Sequence, residues 1–450
     1  MPKLIVGNVD NEHMLGDWSW VSGSPKFRQM SSIVANRMAW LVDAGDVLLL
    51  PAACSTEFLN YICEIKDVDP KSITVIAASD DSKDPKLLTF QTLSDPILIE
   101  RVRKAMDPTL EWRIRPYFFD RTISWLIDHL PISDDEAYTR FMKQGGAEIL
   151  NSKAEFRRMA AGLGISIPNG QACSSVEHMS SVVWDLLDDT GIVMLKQDFN
   201  SGGDGNTVLT NRGDLKFAAG AGHIFHVETV KAVREVVSDI WNRQARGRNI
   251  NLIAETFHKS THIYFSDYYI ENTRSAPRYL VHGEMRMEPL WVGFRIPGPI
   301  PAGRASHLMS DSGILTQAVK GLGYLGAINY DAVFLESGRP TFLEFNGRCG
   351  GTTHIDELAT KVLGQDYMDK FHLITRNKVK CGPFEVVLNV LRQSNLLYSQ
   401  NKKEGLFVMT DDADRTGTIE FLIATASASR ADELEKECLS VLKSTMVGCV

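Results

Sequence analysis

The sequence contains no apolar run that approaches the roughly 18 consecutive residues of a membrane-spanning helix. Its first ten residues, MPKLIVGNVD, lack the length and the cleavage site of a signal peptide and are typical of a buried first strand. The seven cysteines are odd in number and form no C-x-x-C pair. These absences predict a reduced, cytoplasmic protein that has no membrane partner.

An excess of positive charge is also missing. The formal net charge of −8 argues against a nucleic-acid partner or an anionic membrane surface. Hydrophobic residues make up 44% and charged residues 23% of the chain, which is ordinary for a globular protein. The 450 residues suffice for about three domains, and they contain no internal repeat or low-complexity tract.

The common nucleotide-binding motifs are absent or misplaced. No GxxxxGK[ST] sequence is present, so a P-loop is excluded. Gly321, Gly323 and Gly326 match GxGxxG, but a helix is predicted before them and a strand after them. A dinucleotide fingerprint needs the reverse order, so the NAD interpretation is rejected.

Short apolar runs alternate with amphipathic segments in the first third of the chain. Strands are predicted at Leu4–Gly7, Val47–Leu50, Thr74–Ala78 and Arg113–Phe119, and helices at Met30–Asp43, Glu57–Ile65 and Asp95–Met106. Ser94 is the candidate N-cap of the last helix. The alternation predicts an open α/β sheet.

A hairpin is predicted in the stretch from Gly321 to His354. Val333–Leu335 and Thr341–Phe345 are rich in β-branched and aromatic residues, and Ser337–Gly338 separates them as a two-residue turn. That turn places Asp331 opposite Glu344 and Asn329 opposite Asn346.

The opposed pairs have a chemical consequence. Asp331 and Glu344 lie on one face with Cβ atoms roughly 5 Å apart, where two like charges repel. A cation between the carboxylates removes that cost, and Mg²⁺ takes such oxygen ligands. The alternative is a solvated hairpin face that binds no metal.

Upstream of the hairpin lie two lysines, a glycine-rich loop and an acid in a predicted strand. Lys153 follows the capping residue Ser152 in the first turn of a predicted helix, where backbone N–H groups favour an anion. Lys196 ends a predicted strand, and the loop FNSGGDGN follows it. Glu255 lies in the predicted strand Asn251–Phe257. Taken singly, each feature is equally consistent with a surface lysine or a plain turn.

Two further elements are predicted downstream. Arg278–Ile296 has the pattern of a hairpin that turns at His282–Gly283. Phe384–Leu391 has the composition of a strand in a small C-terminal α/β appendage.

In their order, these motifs resemble the ATP-grasp superfamily, in its carboxylate–amine ligase branch. The resemblance of motifs spans residues 152–353, and the chain's length and appendage are most similar to the pheganomycin-type peptide ligases. It implies an α/β ATP-grasp fold with an open α/β pre-ATP-grasp domain at 1–147, a lysine and glycine-loop subdomain at 148–256, a metal-hairpin subdomain at 257–375 and an appendage at 376–450.

The resemblance also implies roles for individual residues. Asp331, Glu344 and Asn346 match the Mg²⁺ ligands, and Mn²⁺ is expected to substitute. Asn329 stands where D-alanine ligase-type members carry a catalytic arginine, which moves that role to Arg295 or Arg348. The residues that match the ATP-binding positions are Lys153, Lys196, Ser201, Gly202, Gly203, Gly205, Glu255, Thr256, Phe257 and His262.

The implied activity is ATP-dependent peptide ligation through an acyl phosphate, in antibiotic biosynthesis. An amino-acid-like acid is joined to the amino group of an amino acid or peptide, and ADP and phosphate are released. In the pheganomycin-type ligases this acid carries a guanidino group. The partners are small acids and amines, and a homodimer is left open. The alternatives are an ATP-grasp carboxylase, a small-molecule kinase or a nucleotide-binding protein without turnover.

Overall fold

The computed structural model describes residues 1–446 except 11, 14, 16–22, 134–135, 201–204, 261 and 337. The predicted loop residues Ser201, Gly202 and Gly203 therefore lie outside the described residues, whereas Gly205 lies inside them. The described residues form three sheets of four, five and eight strands. No described helix is both long enough and apolar enough to cross a membrane.

The N-terminal third is the open α/β sheet that the alternation predicts, with parallel strands in the order β3-β2-β1-β4. Every residue of β2 is buried, as expected for a parallel strand covered on both faces. The elements are β1 Lys3–Val6, α1 Pro25–Ala35, a 3₁₀ helix Asn36–Leu41, β2 Val47–Ala52, α2 Thr56–Lys66, a 3₁₀ turn Pro70–Ser72, β3 Thr74–Ser79, α3 Phe90–Leu93, α4 Pro96–Ala105, β4 Arg113–Pro116, α5 Arg121–His129, α6 Glu136–Lys143 and α7 Gly146–Ile149.

Two helix boundaries in this part differ from the prediction. The segment predicted as one helix over Met30–Asp43 is α1 followed by the 3₁₀ helix. The N-cap of α4 is Asp95, not Ser94, because the Asp95 side chain accepts a hydrogen bond from the backbone N–H of Ile97.

A five-stranded sheet in the order β5-β9-β6-β7-β8 follows. Two helices cover one of its faces, and their buried stripes, which include Val183, Leu187, Val233 and Val237, pack into a separate apolar core. The elements are α8 Lys153–Gly162, β5 Gly170–Cys173, α9 Val176–Thr190, β6 Ile192–Gln197, β7 Thr207–Thr210, β8 His223–His226, α10 Val230–Gln244 and β9 Leu252–Thr256.

The rest of the chain builds an antiparallel sheet in the order β14-β13-β10-β11-β12-β15-β17-β16. The C-terminal strands extend this same sheet, and the division into four parts stays a prediction. The elements are β10 Ile263–Ile270, β11 Arg278–Met287, β12 Trp291–Ile296, α11 Ala302–Gly321, β13 Gly326–Phe334, β14 Pro340–Asn346, α12 Thr353–Val362, α13 Tyr367–Lys370, β15 His372–Lys380, α14 Phe384–Gln393, β16 Gly405–Val408, α15 Ala413–Thr416, β17 Thr418–Thr425 and α16 Ala428–Ser444.

The predicted strand Phe384–Leu391 is wrong, since this segment is helix α14. Its buried residues are Phe384, Val387, Leu388 and Leu391. These positions follow the i, i+3, i+4, i+7 spacing of a helix, which the β-branched composition of the segment obscures.

The predicted turn at His282–Gly283 is also wrong, because both residues lie inside strand β11. A Cβ atom at Gly283 would lie 2.5 Å from the carbonyl oxygen of Arg295 and 2.8 Å from the ring of Phe265. The glycine therefore serves close packing within the sheet.

We expect Gly283→Ala to destabilise the protein by about 1–3 kcal/mol, because the added methyl group overpacks the sheet. The free energy of unfolding in urea measures the effect. Gly303→Ala is the matched control, since a Cβ in that helix meets no atom within 4 Å. Equal stability of the two variants would contradict the packing explanation.

Candidate active site

The metal hairpin has the predicted register at its polar residues. Asp331 pairs with Glu344 and Asn329 with Asn346. The register closer to the turn is different, because Val333 pairs with Thr341 rather than with Phe342. A bulge in β14 adds one residue between the two halves and restores the expected pairs. The prediction that Asp331 and Glu344 lie opposite each other is confirmed. The predicted two-residue connection is wrong, because Phe334 pairs with Pro340 and five residues separate them; Ser337 itself lies outside the described residues.

The pKa values of the two hairpin carboxylates are shifted in opposite directions. Burial, together with the neighbouring Glu344, holds the pKa of Asp331 well above its usual range. Burial also opposes ionisation of Glu344, but Lys153 and Lys196 outweigh it and lower the pKa of that carboxylate. Two carboxylates brought together in a buried site shift each other's pKa values, and the nearby lysines favour ionisation of Glu344.

Helix α8 positions the first lysine. Lys153 Nζ lies 3.0 Å from Glu344 Oε2 and donates to the Asn200 carbonyl at 2.9 Å. Ser152 caps the helix as predicted, since its Oγ accepts from the N–H of Glu155. Asp198 adds a second cap, because its Oδ1 accepts from Ser152 Oγ at 2.8 Å and from the N–H of Ala154 at 2.9 Å. Asp198 follows strand β6, 46 residues after Ser152, so no local sequence pattern predicts this cap.

A buried triad positions the second lysine. The carboxylate of Glu255 is 2.6 Å from Lys196 Nζ and 2.7 Å from Arg157 Nη1. Arg157 also donates to the carbonyl oxygens of Pro168 and Gly170, each at 2.8 Å. Glu255, expected among the ATP-binding residues, thus holds Lys196 in place. Arg157 was missed because an arginine inside a helix has no distinguishing local pattern.

The segment that follows Glu255 forms part of the cavity wall. The N–H groups of Thr256 and Phe257 donate to Asn169 and Ile192 and are used by the fold. Their carbonyl oxygens are the groups left for a ligand.

Arg348 lies beside the hairpin, on the cavity wall. Its Nη1 donates to Asn151 Oδ1 at 2.9 Å and also to Asn346 Oδ1. Asn346 in turn donates to Asn329 Oδ1 at 2.8 Å. Within the described residues no carboxylate forms an ion pair with Arg348, so its Nε and Nη2 are oriented donors without an anionic partner.

Two residues expected at the site lie elsewhere. Arg295 is ion-paired with Asp432 at 2.8 Å and joins β12 to helix α16. His262 Nδ1 contacts the carboxylate of Glu284. Neither side chain lines the cavity described next. The position of Arg295 thus leaves Arg348 as the arginine beside the carboxylates.

A cavity of about 1020 Å³ lies where the three sheets meet. It exceeds the usual size for one drug-sized ligand. The sequence-predicted residues that line it are Lys153, Lys196, Glu255, Thr256, Phe257, Asp331, Glu344, Asn346 and Arg348.

The N-terminal sheet contributes lining residues that sequence reasoning missed. Asp10 follows β1 and Tyr117 follows β4, at the carboxyl edge of the parallel strands where ligands bind in such sheets. Arg37 lies in the 3₁₀ helix and forms a bidentate pair with Glu420 at 2.8 and 3.0 Å. The rule that ligands bind at the carboxyl edge of parallel strands indicates the positions of Asp10 and Tyr117. The sequence has no glycine fingerprint after these strands, so it predicted no ligand site there.

The hairpin fits a hard divalent cation by its donor chemistry. The described residues contain no group of three or more His, Cys, Asp or Glu side chains that could hold a metal. Asp331, Glu344 and the amide oxygen of Asn346 provide oxygen donors only. Mg²⁺ is commonly bound by one or two carboxylates and completes its shell with water and substrate phosphates, so a full protein cage is unnecessary.

Two known protein families match parts of the chain. Residues 35–132 match the family described as the Pre ATP-grasp domain, and residues 387–438 match the PGM1 C-terminal domain. No curated protein matches the chain.

Solved structures match over nearly the whole chain. An ADP complex of PurK, an N5-carboxyaminoimidazole ribonucleotide synthetase, is 12% identical with a TM-score of 0.56, over 99% of this chain and 97% of that one. A biotin carboxylase from Campylobacter jejuni is 11% identical with a TM-score of 0.58, over 98% and 91%. The biotin carboxylase domain of a Hydrogenobacter thermophilus 2-oxoglutarate carboxylase, with MgADP and bicarbonate, is 10% identical with a TM-score of 0.57, over 97% and 89%. The ATP-grasp fold with a pre-ATP-grasp domain is thereby confirmed.

We expect Glu255→Gln to lower the free energy of unfolding by about 3–5 kcal/mol, because it leaves Lys196 and Arg157 buried without an anion. Chemical denaturation measures this loss. The control is Glu235→Gln, which removes an exposed helix ion pair with Lys231 and is expected to cost at most about 0.5 kcal/mol. Similar losses in both variants would contradict the triad.

Proposed function

We propose that this chain is an ATP-dependent carboxylate–amine ligase that works through an acyl phosphate. The observation that supports this most is the meeting, in one cavity, of Lys153 and Lys196 with the carboxylates of Asp331 and Glu344. Cations that face opposed carboxylates suit a nucleotide polyphosphate with a divalent metal. Three similar structures are complexes with ADP, a β,γ-ATP compound and MgADP, which agrees with nucleotide binding by this fold.

The chain's own residues have separate roles in this proposal. Lys153 and Lys196 bind phosphate oxygens as point charges, and Glu255 keeps Lys196 in place. Asp331, Glu344 and Asn346 hold Mg²⁺, which supplies charge neutralisation at the phosphates when bound. The whole ATP-binding set stays a prediction. Ser201, Gly202 and Gly203 lie outside the described residues, and neither Gly205 nor His262 lines the cavity.

Arg348 holds the carboxylate of the acid substrate. A planar guanidinium matches a carboxylate with two parallel hydrogen bonds, and the tether of Nη1 to Asn151 fixes its plane. A carboxylate oxygen attacks the γ-phosphorus of ATP, and the bond to ADP breaks. The amine nitrogen then attacks the acyl carbon, phosphate leaves, and the amine gives up a proton. The protein contributes positioning and charge, and needs no covalent nucleophile.

The finer proposal is a peptide ligase of the pheganomycin type, with an amino-acid-like acid and an amino acid or peptide as the amine. A cytoplasmic location, a homodimer and replacement of Mg²⁺ by Mn²⁺ stay predictions. A carboxylase is the second candidate, because the similar structures are named as a carboxyaminoimidazole synthetase and as biotin carboxylases. The cavity of about 1020 Å³ is at the upper end of the usual size of a ligand site, which leaves room for an organic substrate beside a nucleotide in either case.

The reaction order is tested by positional isotope exchange in ATP. We expect scrambling with Mg²⁺ and the acid alone, before any amine is added, because the acyl phosphate forms first.

Arg348→Lys should bind ATP almost normally but lower the exchange about 100-fold, since a lysine cannot orient the carboxylate in the transition state. The control is Arg392→Lys, at an exposed arginine outside the cavity. Scrambling that requires the amine would contradict the order, and turnover that requires only bicarbonate would favour the carboxylase.

We expect Glu344→Gln to lower ATP turnover about 100-fold or more, because the metal loses an anionic ligand. The variant should also unfold at a lower temperature, because Lys153 loses the carboxylate with which it pairs. ADP release at several Mg²⁺ concentrations and thermal unfolding measure both effects. Glu336→Gln, on the same hairpin but outside the cavity, is the control. Normal turnover by Glu344→Gln would refute the metal assignment.

A further inference from the structure

The cavity continues well beyond the metal hairpin. It runs along one face of the eight-stranded sheet and reaches strands β12, β15 and β17, with helix α1 along one side. We call this region the far end of the cavity. The lining residues that define it here are Lys26, Leu290, Trp291, Asn377, Lys378 and Lys380.

The far end carries unpaired positive charge. Lys378 and Lys380 are exposed, and within the described residues no carboxylate forms an ion pair with either of them or with Lys26. Arg376, two residues earlier on the same strand, is by contrast paired with Glu288 at 2.9 Å and Glu435 at 3.6 Å. Two carboxylates also line this end, and one of them, Glu420, is paired with Arg37. The other, Asp412, accepts hydrogen bonds from threonine hydroxyls, so the three lysines outnumber it and favour an anionic ligand there.

The backbone presents these lysines in a specific way. The pairing of β15 with β17 shifts between Arg376 and Val379, which marks a bulge. Lys378 lies in this bulge with a φ of 54°, a left-handed conformation that costs energy for a lysine. Lys380 pairs with Thr418, another residue of the cavity lining. Lys378, in the bulge, and Lys380, just after it, thus both line the far end of the cavity.

The wall between the hairpin and the lysines suits a peptide. Met287, Leu290 and Trp291 line it and provide an apolar surface. Apolar side chains of an extended peptide would be removed from water on such a surface.

We propose that the far end binds the C-terminal carboxylate of the amine substrate, and that this substrate is a short peptide. The inference rests on the proposed ligase function, which places the reacting amine beside Arg348 and the hairpin. From β13 to β15 the sheet order has four steps, and strands lie about 4.8 Å apart, so the separation is roughly 19 Å. An extended peptide covers about 3.3 Å per residue, so about five or six residues span this distance.

The test is calorimetric binding of defined peptides to the full chain, with and without ADP and Mg²⁺. The probes are an alanine pentapeptide with a central leucine, as the free acid and as the C-terminal amide, and an alanine dipeptide in both forms. We expect the pentapeptide acid to bind about tenfold more tightly than its amide, as charge-assisted hydrogen bonds to a carboxylate imply. The dipeptide should show no such difference, because its carboxylate does not reach the lysines.

The double variant Lys378→Ala, Lys380→Ala should remove the difference between pentapeptide acid and amide. The control is Lys402→Ala, Lys403→Ala, which removes the same charge outside the cavity, and Lys403 shares the left-handed φ of 54°. Equal binding of acid and amide by the unaltered protein, equal loss in the control, or no peptide binding under either condition would overturn the inference. Acid-dependent isotope exchange in ATP would still occur in those cases, whereas its absence would refute the ligase independently.

Discussion

Helix α8 connects the two sheets of the active site through buried charge. Lys153 in its first turn pairs with Glu344 of β14, and Arg157 one turn later pairs with Glu255 of β9. Residues four apart lie on the same helix face, so one face of α8 contacts carboxylates from both sheets. An unpaired charge in such a position would cost several kcal/mol, so the sheets keep their relative placement only while these pairs are matched.

The same network explains why the site suits a polyphosphate and a metal together. Glu344 is the present partner of Lys153, and Glu255 is the present partner of Lys196. A triphosphate brings more negative charge than the two lysines offset, and it competes with Glu344 for Lys153. Burial and Glu344 raise the pKa of Asp331, and its ionisation would add to this imbalance. In the proposed function a divalent cation at the hairpin offsets part of this negative charge, so metal and nucleotide binding are expected to depend on each other.

Sequence patterns predict those parts of this site that local periodicity determines. The facing of Asp331 and Glu344 follows from strand alternation, although a bulge and a longer turn compensate in a way that no local rule predicts. The partners of Arg157 and Arg37 were unpredictable for another reason. They lie 98 and 383 residues away in the chain, so only the tertiary fold brings them together. Helix α14 was mistaken for a strand because composition was weighed above the spacing of its apolar residues.

The pair of Arg37 and Glu420 shows how the third side of the cavity is held. Both side chains are nearly buried, their hydrogen bonds are bidentate, and Arg37 also stacks 5.6 Å from the ring centre of Trp291. A buried ion pair of this kind is seldom more stabilising than two apolar residues of the same volume, so stability alone does not account for it. Its position in the cavity wall accounts for the pair, because Arg37 joins the 3₁₀ helix of the N-terminal part to β17 and keeps that wall polar. An apolar replacement would join the two parts equally well but would remove the charged groups from that side of the cavity wall.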